Sequence, residues 1–321
     1  MNKPAITISS LAERFLSYKR NMGYKYENGE FYLNSFTKYI REKKLHINIP
    51  DKETVTGWCN KSAEYPGSLY NRISIIREFG RYLVANGYED AYVIPAKHGN
   101  RLEPHLPYFF TTSEINHFFE ICRCMQKHNK YTGREFVIPA LFKVLYCCGL
   151  RCRETRMLKC CDVCLEERYI DILQSKGPKS RRIFISRELS EDLAMYDVKI
   201  RCLFPDRIYF FPNRYDQPYG SGTISVNFNR IWYAAFPSFN ATPKPRAYDF
   251  RHHFAWANLN RWVQEGTDVN VMLAYLMRYM GHSHIKSTLY YFHFVPEFFG
   301  TFAAKTKALE SLLPEVPYEE E

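Results

Sequence analysis

A segment broken by proline and glycine divides this 321-residue chain into a shorter and a longer part. Three prolines and one glycine lie within residues 94–107, where neither a helix nor a central strand can continue. We therefore predict an interdomain linker at residues 96–108. The chain is long enough to bury a separate apolar core on each side of that linker.

Apolar residues recur at helical spacing in the shorter part, from Leu11 to about Leu83. Such spacing gives each helix one apolar face, which is buried when helices pack together. Residues 1–95 are therefore predicted to form a small helical bundle. The clearest sets are Tyr32, Leu33, Phe36, Tyr39 and Ile40, and then Leu69, Ile73, Ile76 and Phe79.

The longer part combines helices with short β-rich runs. Residues 169–173 and 182–185 are rich in β-formers and are separated by a polar segment with Gly177 and Pro178, which predicts a β-hairpin. Residues 208–211 are predicted to add a third strand. The expected fold class is mainly α with a small β-hairpin or sheet (α+β).

The charge balance favours a polyanionic partner. The chain carries 44 basic and 34 acidic residues, a formal net charge of +10 at pH 7. A soluble basic protein without a polyanionic partner could have the same net charge. Its apolar runs are too short to span a membrane, and the N-terminus lacks the apolar core of a secretory signal. We therefore expect the protein to stay in the cytoplasm.

The ten cysteines do not predict a disulfide framework, which is typical of small secreted chains. Cys161 and Cys164 form a Cys-x-x-Cys pair, and His282 and His284 form a His-x-His pair, so a zinc site is an alternative. No second pair of either kind completes a tetrahedral set nearby. We therefore expect neither a metal nor another cofactor.

Six polar residues stand where an apolar pattern would not require them: Arg151, Lys176, Arg251, His252, His282 and Tyr291. Each one alone has an ordinary explanation, such as a surface arginine or a core tyrosine. Their order and spacing along the chain are more informative than any single member.

The first two of these residues lie in segments that resemble the tyrosine recombinase (phage integrase) family. Residues 149–154, with the sequence Gly-Leu-Arg-Cys-Arg-Glu, resemble the first arginine box of that family, which contains Arg151. Residues 175–181 resemble the family hairpin that carries a catalytic lysine, here Lys176.

Two further segments extend the resemblance towards the end of the chain. Residues 248–255 are similar to the second arginine box, with Arg251. Residues 280–291 are similar to the closing box, in which Tyr291 follows His282 by nine residues. The cadence of the closing box resembles integrases of bacterial mobile elements.

The resemblance implies a site that cuts DNA through a 3′-phosphotyrosine. Arg151 and Arg251 would clamp the scissile phosphate, because guanidinium groups stay protonated and bond phosphate oxygens bidentately. Lys176 would be the general acid, His282 would hydrogen-bond the phosphate, and Tyr291 would be the nucleophile. The phosphotyrosine keeps the free energy of the broken bond, so rejoining requires no nucleotide.

One position departs from the family pattern. Tyr248 stands where the family usually has histidine or lysine, and a phenol is a poor base at neutral pH. His252 or His253 could compensate for this change, although the resemblance implies a structural or supporting role for His252, and we expect Tyr248 to be a tolerated variant in an active enzyme. Tyr290 is a competing nucleophile, although neighbours on a helix point about 100° apart and only one can face the phosphate.

The resemblance also implies domain roles and partners. Residues 1–95 would be a core-binding (SAM-like) DNA-binding domain, 109–305 the catalytic recombinase domain, and 306–321 the end of a C-terminal helix with an acidic tail. The partner would be double-stranded DNA with specific sites, and the chain would form a homo-oligomer, a tetramer on two such sites. The reaction would be integration, excision or inversion of DNA within a bacterial cell. The alternatives are a catalytically silent DNA-binding relative, a type IB topoisomerase, and a basic helical protein with accidental matches.

Overall fold

The chain divides into two compact units, Met1–Pro104 and His105–Glu321. The computed structural model describes residues 7–43, 45, 47–60, 66–96, 106–173, 180–282, 284 and 286–291. The predicted hairpin residue Lys176 and the predicted tail at 306–321 lie outside these residues. None of the helices within them has the length and apolar character that a membrane span requires.

The first unit is a helical bundle, as its apolar spacing predicts. Side chains from three of its helices, Phe36, Trp58 and Phe79, are fully buried in a shared core. On one side of that core the Glu78 carboxylate accepts hydrogen bonds from both Lys19 and Tyr26. The helices are α1 (Ile8–Asn21), α2 (Glu27–Glu42), α3 (Lys52–Cys59) and α4 (Pro66–Ala85).

The second unit is also mainly helical. Its first helix begins after Thr111, whose side chain caps the helix while Glu114 bonds back to the Thr111 backbone, a capping box that the sequence signals. The helices are α5 (Thr112–Arg123), α6 (Arg134–Cys148), α7 (Cys152–Arg156), α8 (Arg187–Arg201), α9 (Ser221–Ala235), α10 (Asp249–Gln264), α11 (Val269–Met280) and α12 (Lys286–Leu289).

A three-stranded antiparallel sheet completes the second unit, with strands β1 (Val163–Cys164), β2 (Tyr169–Ile172) and β3 (Arg181–Phe184) in that order. Ile170 pairs with Ile183, and both side chains enter the core. On the opposite face Asp171 forms an ion pair with Arg182. The alternation of apolar and charged residues thus sets the register of the predicted hairpin.

The predicted third strand at residues 208–211 is wrong. Tyr209 forms an isolated bridge with Lys159, and the strand that extends the hairpin is β1 instead. The apolar run at these positions is explained by burial, since Phe210 and Phe211 both lie in the core. A two-residue strand such as β1 is too short to leave an apolar alternation in the sequence.

Aromatic rings fill the centre of the second unit. Phe250 on α10 lies 5.4 Å from both Phe118 and Phe228, measured between ring centroids, and all three are fully buried. The helix α6 packs against both α8 and α10. Because Phe250 is anchored in this cluster, the rotation of α10 is fixed, and so is the direction in which Arg251 leaves the helix.

His253 is part of the same aromatic packing. Its ring stacks on Tyr146 at 5.6 Å and lies 5.5 Å from Trp256. Its buried Nδ1 has no hydrogen-bond partner in the described residues. Burial lowers the pKa of His253 from its ordinary value of 6.5 to about 4, because the charged form cannot be solvated there.

This histidine is expected to make the second unit acid-sensitive. As the pH falls from 6.5 to about 4, His253 becomes protonated in the unfolded chain but stays neutral in the folded chain. The free energy of unfolding therefore decreases across that range. The loss from this group is about 3 kcal/mol at most. His253→Phe should therefore flatten the dependence of unfolding free energy on pH between 6.5 and 4, measured by denaturant titration. His128→Gln, at an exposed position, is the control, and equal slopes for wild type and His253→Phe would contradict the explanation.

Candidate active site

Two helices of the second unit end at glycines in the left-handed conformation. Gly149 ends α6 with φ 57°, and Gly281 ends α11 with φ 65°. A Cβ at position 149 would lie 2.5 Å from the Phe254 ring, and one at 281 would lie 2.8 Å from the Arg181 guanidinium. Both positions therefore require glycine, and both helices present C-terminal carbonyl groups with partial negative charge.

Arg251 joins these two helix ends. Its Nη1 donates to the Gly149 carbonyl at 2.7 Å, and its Nη2 donates to the Met280 carbonyl at 2.6 Å. The side chain is almost fully buried, at 1% exposure. Burial, together with the nearby charge of Arg151, lowers the pKa of Arg251 to about 10, so it remains protonated at neutral pH.

Arg151 lies beside the same helix ends, just before α7. Its Nη2 donates to the Gly281 carbonyl at 3.1 Å, and its Nη1 donates to Glu154 Oε1 at 2.7 Å. The Arg151 backbone N–H also donates to Glu154, at 3.0 Å. A quarter of the Arg151 side chain remains exposed, at 24%, so this guanidinium can meet a ligand from solvent.

Glu154 is a buried carboxylate shared by two arginines, since Arg181 on β3 donates to both of its oxygens, at 3.1 and 2.8 Å. Burial alone would raise the pKa of Glu154, but the hydrogen bonds and charge of Arg181 and those of Arg151 lower it to about 2. The carboxylate is therefore ionised throughout the neutral range.

His282 follows α11 and contacts Arg251. Its Nε2 lies 3.0 Å from Arg251 Nη2, and its Nδ1 lies 2.8 Å from the hydroxyl of the buried Thr288. Because a guanidinium can only donate, Nε2 accepts, and the ring proton is assigned to Nδ1. Burial, then the charges of Arg251 and Arg151, lower the pKa of His282 to about 4, so the ring is neutral.

Tyr291 lies against this cluster. Its ring stacks on His282 with centroids 6.3 Å apart, and only 3% of the residue is exposed. Burial raises its pKa to about 12, while the charges of Arg251 and Arg151 act in the opposite direction. The phenol is therefore near enough to both guanidinium groups for their charges to act on it.

Tyr290 has a different environment. Burial raises its pKa as well, but the charges that act on it are those of Arg246 and Asp249. Arg246 and Asp249 form an ion pair with each other at 3.0 Å. The two adjacent tyrosines thus face different charged groups, and Tyr291 is the one beside the two arginines.

The histidines after Arg251 also differ. His253 enters the aromatic core, whereas the ring of His252 lies 5.5 Å from Tyr291 and 5.0 Å from Tyr248, measured between centroids. Tyr248 itself is 41% exposed at the start of α10. His252 therefore lies between Tyr248, the residue that differs from the family pattern, and Tyr291.

The structure brings together four of the six predicted site residues: Arg151, Arg251, His282 and Tyr291. Tyr248 lies at the edge of the group, and Lys176 falls outside the described residues. Within the described part no group of three His, Cys, Asp or Glu side chains is arranged to hold a metal ion. The zinc alternative through Cys161, Cys164 and the two histidines therefore has no support.

Three residues of the cluster were not predicted as members of the site. Glu154 stands three residues after Arg151, a spacing that signals a helix-start contact and could have identified it. Arg181 ends the hairpin motif, but its contact with Glu154 joins residues far apart in sequence. Thr288 lies in the closing box, but nothing in the sequence indicates that its hydroxyl contacts His282.

The chain is similar to known proteins over most of its length. The family model described as "Phage integrase family" matches residues 109–297. Tyrosine recombinase XerC of Pediococcus pentosaceus is 27% identical over 235 residues, which are 72% of each chain.

Solved structures share the fold. XerH site-specific recombinase bound to its difH substrate superposes with a TM-score of 0.60 at 19% identity, over 89% of this chain and 81% of that one. A lambda integrase tetramer bound to a Holliday junction gives 0.57 at 16% identity, over 90% and 78%. The family match spans more than half of this chain, and the chain belongs to the phage integrase family, the tyrosine recombinases that cut and rejoin DNA.

Proposed function

We propose that this chain cuts and rejoins duplex DNA at specific sites through a covalent bond between Tyr291 and a 3′ phosphate. The observation that carries the proposal is that Arg151 and Arg251 meet at the same two helix ends, where the buried Tyr291 ring stacks on His282, the partner of Arg251. A phosphodiester under attack develops negative charge on its nonbridging oxygens, and fixed cations stabilise that charge. The family and the DNA-bound lambda integrase support double-stranded DNA as the substrate.

The two arginines would contribute unequally to the clamp. A guanidinium has five N–H groups, and in Arg251 three of them point at the Gly149 carbonyl, the Met280 carbonyl and His282. The other two are left for a phosphate oxygen. Arg151 is more exposed and would meet the phosphate first, while Arg251 is fixed in place before DNA arrives.

The chemical step balances without a cofactor. The Tyr291 Oη–P bond forms, the P–O5′ bond breaks, the phenolic proton leaves, and the 5′ oxygen gains a proton. We assign delivery of that proton to Lys176, as the family resemblance implies. A negatively charged phosphate would also raise the pKa of His282 from about 4, so that its ring can donate to a phosphate oxygen.

The phenolic proton needs an acceptor, because a phenol with a pKa of about 12 is protonated at neutral pH. Tyr248 is a weak candidate, since its own phenol is a poor base. His252 lies close to Tyr291, and an imidazole accepts protons in the neutral range. We therefore assign proton acceptance to His252, and give Tyr248 the role of contacting the phosphate from the edge of the site.

The two units would have different roles, one in DNA binding and the other in catalysis. We assign DNA binding to residues 1–95 and catalysis to 109–305, joined by the segment 96–108. The lambda integrase relative is a tetramer on a Holliday junction, which supports a tetramer of this chain on two DNA sites. A catalytically silent DNA-binding relative is the second candidate, because Tyr248 replaces the expected base and Tyr291 is buried.

The nucleophile assignment predicts a covalent adduct that depends on one tyrosine. Nicked duplexes of random sequence, enriched by covalent capture on the wild-type chain, provide a substrate without knowledge of the natural site. Tyr291→Phe should abolish the adduct on a denaturing gel, while Tyr290→Phe, the matched control, should retain it. Loss of the adduct only in Tyr290→Phe would overturn the assignment, and no adduct with any duplex would favour the silent relative.

If His252 is the proton acceptor, variants at His252 and Tyr248 should differ in their rates of adduct formation with the same substrate. His252→Gln should slow adduct formation at least ~100-fold at neutral pH, the usual range for a general base, and the deficit should narrow as pH rises and the phenol ionises by itself. Tyr248→Phe should slow it far less. Adding Tyr248→His to His252→Gln should restore much of the rate. If Tyr248→Phe is as slow as His252→Gln, the acceptor is Tyr248.

A further inference from the structure

We propose that Arg181 is a positioning residue for the DNA-cutting reaction: it holds Glu154, and through it Arg151, in the orientation that the phosphate clamp requires. This inference rests on the proposed function and adds a residue to it that does not touch the phosphate. Arg181 is the first residue of β3, and its side chain is 9% exposed.

Three elements meet at this one guanidinium. Its Nη1 and Nη2 donate to Glu154 on α7 at 3.1 and 2.8 Å, and its Nε donates to the Tyr279 carbonyl on α11 at 2.6 Å. Such a fork, with two N–H groups on one carboxylate, has a planar geometry that lysine cannot reproduce. Arg181 thus ties the sheet to both helices that border the clamp.

Glu154 has both oxygens occupied from two sides. Arg151 donates through its backbone N–H and its Nη1, and Arg181 supplies two further donors. A buried carboxylate that loses two charged donors reorients or takes up a proton. Either change removes the acceptor that fixes the Arg151 guanidinium, so Arg151 loses its orientation without being altered itself.

Arg181 also lies against the residue that precedes His282. The space that a side chain at Gly281 would occupy is filled by the Arg181 guanidinium, with Nη1 2.8 Å from the Cβ position. The Gly281 carbonyl is the acceptor for Arg151 Nη2. Arg181 therefore bonds one acceptor of Arg151, the carboxylate of Glu154, and lies against another, the backbone at Gly281.

The position of Arg181 in the chain gives it a further consequence. It opens the strand that follows the segment of Lys176, to which we assign the general acid. Its bonds to Glu154 and Tyr279 hold the first residue of β3 beside the clamp.

A pH profile separates this role from general stabilisation. With Arg181 present, Glu154 is ionised down to about pH 2. Without it, the buried carboxyl is expected to titrate in the acidic to neutral range, which creates an acidic limb in the rate of adduct formation. Among the described residues, the charged or titratable groups around Glu154 are Arg151 before α7, Arg181 on β3, Arg251 on α10, His282 after α11, and Asp162 and Asp171 in the adjoining small cleft.

The experiment uses the full chain and the enriched nicked duplex. Rates of adduct formation are measured from pH 5 to 9 for wild type, Arg181→Gln, Arg181→Lys and Arg181→Gln with Glu154→Gln. Arg182→Gln is the matched control, because it removes the next arginine of the same strand, whose partner Asp171 lies on the other face of the sheet. Thermal unfolding and DNA binding by mobility shift are measured for every variant.

Arg181→Gln should slow adduct formation on the order of 100-fold, since misplacing a catalytic group by about 1 Å has that effect. DNA affinity should fall by less than about threefold, and Arg182→Gln should change the rate by less than about threefold, as for an exposed ion pair. Arg181→Lys should recover part of the rate. The acidic limb should appear in Arg181→Gln and vanish when Glu154→Gln is added.

Two outcomes overturn the inference while the proposed function stands. One is an adduct rate in Arg181→Gln like that of Arg182→Gln. The other is a loss that follows lower thermal stability, with the pH profile of wild type. Absence of an adduct from wild type itself would instead remove the proposed function, and this role with it.

Discussion

The buried guanidinium of Arg251 is the interaction on which the rest of the site depends. A charge taken out of water requires close compensation, and here two backbone carbonyls, those of Gly149 and Met280, provide it. Both lie where a helix ends and its last carbonyl groups lack partners within the helix. One side chain thus joins the ends of α6 and α11, and Arg151 and His282 come together because of it.

The sequence predicts the helices and much of this cluster, because both leave local signals. Apolar spacing identifies the bundle of the first unit, and the arginine boxes identify Arg151 and Arg251. The error at residues 208–211 has a physical cause, since an apolar aromatic run looks the same in a core loop as in a strand. Likewise, nothing local distinguishes His252 from His253. Only the packing of α10 sends one ring into the core and the other towards Tyr291.

The contacts that orient the clamp are the part that the sequence does not reveal. Arg181 and Glu154 are far apart along the chain, and their pairing depends on how β3 packs beside α7 and α11. The groups of the site, moreover, bond each other: His282 accepts from Arg251, and the phenol of Tyr291 is buried and protonated. Because a bound phosphate would raise the pKa of His282, DNA binding and activation of the site are coupled.

In the proposed reaction, two guanidinium groups and Tyr291 converge on one phosphorus atom. A crystal structure of the chain with cleaved duplex and orthovanadate, a mimic of the five-coordinate phosphorus, tests this convergence directly. We expect vanadium bonded to Tyr291 Oη, with nitrogens of both Arg151 and Arg251 at about 3 Å from its equatorial oxygens. Vanadium bonded to Tyr290 or Tyr248, or an Arg251 that remains turned away from the vanadate oxygens, would contradict it.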